Sequence, residues 1–134
     1  MGNTAELETV KKFYLALNQN DIPGILQFCD PQIERVEFEG NPSEGVFRGL
    51  SEFQAHLIKG RSTWDEGGCE PTRLVLEGDK VIVSVHVRVR LKNKTEWIDG
   101  QVTDVFAFRN GRITQMRSFL IAEEALIWAR ESSR

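Results

Sequence analysis

Position 104 carries the clearest chemical signal in this chain. In the stretch VTDVFAFRNGRI, residues 102–113, Val102, Asp104, Phe106 and Phe108 stand two apart. A β-strand puts them on one face and Thr103, Val105 and Ala107 on the other. A carboxylate removed from water is unfavourable unless it is hydrogen-bonded, paired or protonated. The chemistry open to such a group is proton transfer, because an apolar site alters which protonation state it holds. The competing reading is a structural aspartate held by an arginine or a backbone amide, or one that strand twist carries to the rim.

Other reactive types are sparse. The two histidines, His56 and His86, and the two cysteines, Cys29 and Cys69, have no close spacing. No transition-metal site and no cofactor are expected. Both thiols are expected reduced, in a cytoplasmic protein. The 134 residues are expected to form one domain over 1–134, enough to bury roughly two-thirds of the unfolded surface. A net charge of −3 with scattered basic residues argues against nucleic acid or an anionic membrane as partner. No apolar run has the length of a membrane span, and the first residues lack a signal-peptide or myristoylation pattern.

The elements that must position Asp104 follow from hydrophobic period. Residues 4–18 carry Leu7, Val10, Phe13, Tyr14 and Leu17 at helical spacing, with Asn3 and Glu6 as a cap. Asp21 caps a short second helix with Pro23 in its first turn, and CDP at 29–31 stops it. QIERVEFEG alternates as a strand, with Ile33, Arg35 and Glu37 sharing one face. GNPSEG is loop, and Ser51 with Gln54 has the spacing to cap a third helix carrying Phe53, Leu57 and an exposed His56. DEGGCEP reads as a break, and a hairpin around Gly78-Asp79 begins at Thr72. Its second arm sets Val81, Val83, Val85, Val87 and Val89 against His86, Arg88 and Arg90, whose face is expected to be solvated or a dimer interface. Asn110-Gly111 turns the chain into a last strand, and a short helix closes it. Helices followed by a meander predict an α+β domain with helices on one face of a curved sheet. A conical cavity beneath such a sheet is a natural small-molecule pocket.

FYLALNQNDIPGIL, VFRGLSEFQAHL, VTDVFAFRNGRI and TQMRSF resemble the nuclear transport factor 2-like superfamily, in its branch of ketosteroid isomerases and SnoaL-like polyketide cyclases. The likeness runs roughly from Leu7 to Ala125. It implies a cystatin-like cone, a curved antiparallel or mixed sheet wrapped around N-terminal helices. It places Asp104 where the isomerases keep a protonated aspartic acid that donates to the developing enolate. It places Glu37 on the proton-shuttling carboxylate, with Glu34 and Glu39 as alternative occupants. Phe13 stands where those enzymes have a tyrosine and cannot donate a hydrogen bond, so steroid isomerase activity is not expected. Tyr14 follows about 100° further round the helix, beside the expected cavity mouth. Ser118 replaces the last-strand aspartate of the limonene-epoxide-hydrolase branch.

Met116, Ser118 and Leu120 are then expected on the cavity wall, with Phe106 and Val85 or Val87 opposite and Trp64 as a lid or helix anchor. The implied ligand is a small apolar organic molecule. The implied assembly is a homodimer packed through the outer sheet face, with Trp97, Val105 and Phe119 contributing. Cofactor-free isomerisation, cyclisation or hydration is one functional expectation. A non-catalytic binding or interaction module is the other.

Overall fold

Leu7, Val10, Phe13, Tyr14 and Leu17 form the core-facing side of a helix, α1 (Gly2–Asn18), in the computed structural model. The structure describes residues 2–41 and 43–131. The side chains of residues 2–4 lie outside that description, and the expected Asn3 cap with them. The second helix, α2 (Ile22–Leu26), starts as its sequence requires: the Gly24 amide donates to Asp21 Oδ1 at 3.0 Å, and Pro23 sits in the first turn.

Strand β1 (Cys29–Glu37) begins earlier than the alternation predicts, and Ile33, Arg35 and Glu37 face the helices. The following loop contains a short strand, β2 (Gly45–Arg48), paired antiparallel with β1. Four residues are too few to show a period of their own. The third helix, α3 (Gly49–Arg61), is capped differently from expectation. The Arg48 amide donates to Glu52 Oε1 at 2.7 Å, which leaves Ser51 inside the helix.

The largest departure is strand β3 (Trp64–Glu77), which takes in the whole of DEGGCEP. Two register shifts, between Trp64 and Glu66 and between Pro71 and Arg73, bend it against β4 (Lys80–Leu91). Gly67 sits at φ +103° with Arg88 O only 2.0 Å from where a Cβ would stand. The glycine reads as a breaker because only glycine fits there. Pro71 is tolerated because β3 is a sheet edge.

Strands β5 (Trp97–Arg109) and β6 (Arg112–Phe119) form the hairpin expected around Asn110-Gly111, both at positive φ. The six strands run β2-β1-β6-β5-β4-β3, antiparallel throughout except for the parallel β1–β6 pair. The sheet is mixed and curved, and α1, α2 and α3 pack on one face over Val81, Val83, Phe106 and Ile113. A last helix, α4 (Ala122–Glu131), lies on the other face, where Ala125 and Ala129 cover Ile82 and Val105. Val105 and Phe119, expected at a dimer face, are thus packed within the chain, with Phe119 6.0 Å from Trp128. No helix among the described residues is long and apolar enough to cross a membrane.

Candidate functional site

Asp104 is 4% exposed. The register sets it between Val83 on β4 and Ser118 on β6. Both its oxygens are engaged: Ser118 Oγ donates to Oδ1 at 2.5 Å, and the Tyr14 hydroxyl meets Oδ2. Tyr14 reaches it because α1 lays Phe13 and Tyr14 together on the core. Their rings meet Phe106 edge-on at 5.2 and 5.9 Å. The helical rotation that separates the two residues does not send Tyr14 away from the sheet.

Polar contacts continue beyond Ser118. Arg35 Nη2 donates to Ser118 Oγ at 3.0 Å and lies 3.1 Å from Glu37 Oε1. Glu37 Oε2 in turn lies 2.8 Å from His56 Nε2, and the His56 ring stacks on Phe47 with centroids 4.0 Å apart. Asn41 Nδ2 also donates to Glu37 Oε1, at 3.1 Å. Six side chains from α1, β5, β6, β1 and α3 therefore form one connected series, Tyr14–Asp104–Ser118–Arg35–Glu37–His56. Satisfied networks of this kind are rigid, because each missing partner would leave a buried polar group alone.

The two carboxyls in the series are driven apart. Burial pushes the Asp104 pKa up, against the opposing influence of Arg35, Ser118 and Tyr14. Burial would raise Glu37 as well, but Arg35 and His56 outweigh it and hold the group below its ordinary value. Tyr14 is raised well above an ordinary phenol, by burial first and then by the Asp104 charge.

Of the three candidate glutamates, Glu37 alone turns inward, its side chain 12% exposed. Glu34 pairs with exposed Arg48 at 3.1 Å, and Glu39 is exposed. Phe13, Val85, Phe106, Met116 and Ser118 are buried together around Asp104, with Val87 partly buried beside them. These side chains fill the space beneath the sheet. Leu120 lies beyond the end of β6 and is 64% exposed, because the chain leaves the strand after Phe119 and breaks the alternation. Trp64 starts β3 and carries the Arg61 guanidinium 4.6 Å above its ring.

A cleft of about 550 Å³ opens among α1, β3 and β4, within the ~300–1,000 Å³ typical of small-molecule sites. Tyr14 borders it, joined by Lys11, Leu15, Cys69, Pro71, His86 and Arg88. Asn18 ties its edge, with Nδ2 and Oδ1 bonded to the Cys69 backbone at 2.8 and 2.9 Å. The Cys69 thiol is pushed up to about 12 by burial and by the Asp104 charge, which keeps it a thiol near neutrality.

Arg35 and His56 are the network members that sequence reasoning passed over. Arg35 was legible, since strand alternation puts it beside Glu37. His56, expected exposed, has a side chain only 9% exposed. Its position three residues after Phe53, on the flank of the apolar stripe, was the available signal.

Residues 10–116 match the model of the SnoaL-like domain family. No functionally curated protein matches the chain. Similar solved structures include an NTF2-like protein of unknown function from Burkholderia pseudomallei, 21% identical, with 92% of this chain and 95% of that one covered and a TM-score of 0.78. TerC co-crystallized with polyporic acid is 22% identical over 96% and 99% of the two chains, with a TM-score of 0.77. A protein with a ketosteroid isomerase-like fold from Catenulispora acidiphila, in complex with trimethylamine, is 12% identical over 89% and 93%, with a TM-score of 0.75. Identities this low establish the shared fold alone.

Proposed function

We propose that this chain, which belongs to the SnoaL-like domain family, binds a small organic molecule in the cleft beside Tyr14 and offers it cofactor-free proton transfer. The observation that carries the reading is the buried Tyr14–Asp104 contact at the border of the cleft. Burial favours the protonated form of Asp104, the form that can donate a hydrogen bond. Polyporic acid on TerC and trimethylamine on the Catenulispora protein show that similar folds hold small organic molecules.

Tyr14 is the network member that borders the cleft. When Asp104 is protonated its Oδ2 donates to Tyr14 Oη, and the Tyr14 hydrogen turns to the oxygen of a bound carbonyl compound. Negative charge developing on that oxygen is then met by a hydrogen-bond donor backed by an acid. Glu37, paired with Arg35 and His56, is not among the described residues that line the cleft, so a ligand there meets the network through Tyr14. Isomerisation, aldol-type cyclisation and hydration of a carbonyl compound each gain from such a donor at the carbonyl oxygen.

Calorimetry with 2-naphthol, a neutral enolate mimic, tests the assignment. Tyr14→Phe and Asp104→Leu are expected to weaken binding by about 2- to 10-fold, the worth of a hydrogen bond between neutral groups. Equal affinity in wild type and both variants removes the acid from the reading.

A second reading has its own support. Both Asp104 oxygens are satisfied inside the protein, and apolar side chains fill the space around it. A binder without turnover fits that packing. Deuterium exchange at the α-carbon of a cyclic ketone, followed by NMR, separates the two: the catalyst speeds it above buffer, and the binder does not.

A further inference from the structure

We infer, on the reading that the cleft is the ligand site, that Ser118 is a positioning residue oriented by Arg35. It reserves Asp104 Oδ1 as an acceptor, so the proton of the acid stands on Oδ2 and the cleft favours ligands that accept a hydrogen bond from Tyr14. A guanidinium has donors and no acceptor. Arg35 Nη1 donates to the Val36 and Met116 carbonyls at 2.8 and 3.3 Å, and Nη2 lies 3.0 Å from Ser118 Oγ and 3.1 Å from Glu37 Oε1. Held by these contacts, it gives Ser118 a hydrogen and can take none. The Ser118 hydroxyl therefore accepts on that side and has its own single hydrogen left to place. Among the described residues the acceptor it meets is Asp104 Oδ1, at 2.5 Å. Turned elsewhere, that hydrogen would be buried without a partner, because Ser118 is only 6% exposed.

Two proton arrangements satisfy the rest of the series. With Asp104 ionised, Oδ2 accepts from the Tyr14 hydroxyl, which is left with lone pairs alone for the cleft. With Asp104 protonated, Oδ1 is taken by Ser118 and Oδ2 donates to Tyr14 Oη, which frees the phenolic hydrogen for a ligand. A neutral acceptor such as a carbonyl compound therefore selects the second arrangement and draws a proton onto Asp104. The ionisable groups that face Asp104 stay fixed through this step. Tyr14 on α1 is raised well above an ordinary phenol, and Cys69 on β3 is pushed up to about 12. On β1, Arg35 is a permanent cation and Glu37 is lowered. Val83 on β4 and Ser118 on β6, the neighbours of Asp104 in the sheet, do not ionise. Burial raises Asp104 into the interval between these groups, so it is the member that titrates there.

Acetophenone and α-methylstyrene, alike but for a carbonyl oxygen in place of a methylene, test this by the ratio of their affinities. In wild type acetophenone is expected to bind about 2- to 10-fold more tightly at acid pH. That advantage is expected to fade as pH rises through the folded Asp104 value. Calorimetry above that value, in two buffers of different ionisation enthalpy, is expected to show proton uptake with acetophenone. Asp104→Asn reads the direction of the series. With its amide oxygen accepting from Ser118 and its amide nitrogen donating to Tyr14, it is expected to hold the acid-pH ratio at every pH, without proton uptake. Adding Ser118→Ala frees that amide to turn over and is expected to lower the ratio about twofold or more, through acetophenone alone. A ratio lost in Asp104→Asn, a ratio independent of pH in wild type, or an equal loss of both compounds on adding Ser118→Ala overturns the positioning role and leaves the ligand site standing. Failure of both compounds to bind wild type overturns the ligand site, and the positioning role with it.

Discussion

The Tyr14 hydroxyl and Asp104 Oδ2 are bonded across ninety positions of sequence, joining the first helix to the fifth strand. That one contact both satisfies a buried carboxyl and connects it to the cleft. Tyr14→Phe leaves the carboxyl with Ser118 alone. The expected loss of stability is about 1–3 kcal/mol, the penalty for a buried group deprived of its partner. Urea unfolding of the two proteins measures it.

The displaced carboxyls give pH dependences of opposite sign. Asp104 is raised in the folded state, so its contribution is complete below the unfolded carboxylate range and is lost as pH rises from about 4 through the folded value. Glu37 is lowered, so its contribution is present above that range and is lost as pH falls through the folded value. Relative to Asp104→Asn, wild type is expected to lose ground with rising pH. Relative to Glu37→Gln, it is expected to lose ground with falling pH. Denaturant midpoints across an acidic series read both slopes, and parallel profiles would contradict them.

Arg35 lies between Ser118 and Glu37, with both partners of its ion pair largely buried. Arg35→Met leaves the buried Glu37 charge with His56 and Asn41 alone and is expected to destabilise by about 1–3 kcal/mol. The double variant Arg35→Met/Glu37→Met removes both charges and is expected to recover part of that loss. A double-mutant cycle in urea gives the coupling.

Gly67 at φ +103° is predicted to be irreplaceable. An alanine Cβ would meet Arg88 O at 2.0 Å, in a conformation that L residues avoid. Gly67→Ala should cost about 1–3 kcal/mol or more and loosen the β3–β4 pairing. Gly60→Ala, inside α3 with nothing within 4 Å of the added carbon, should stabilise by about 0.5–1 kcal/mol. Thermal melts of the two variants should shift in opposite directions.

Sequence by itself determined what local period can determine. Helical spacing gave α1, alternation gave the valine face of β4 and the position of Asp104 among phenylalanines, and Asn110-Gly111 gave its turn. Each depends on neighbours within a few residues, whose side-chain directions follow from backbone geometry. Tertiary structure decided which distant faces meet. The rotation of α1 against the sheet chose Tyr14 as the partner of Asp104, and α3 brought His56 down onto Glu37. Pairing with β4 turned DEGGCEP into a strand, and α4 covered Val105. Contacts of this kind are set by register and packing between segments far apart in the chain, where no local period carries the information.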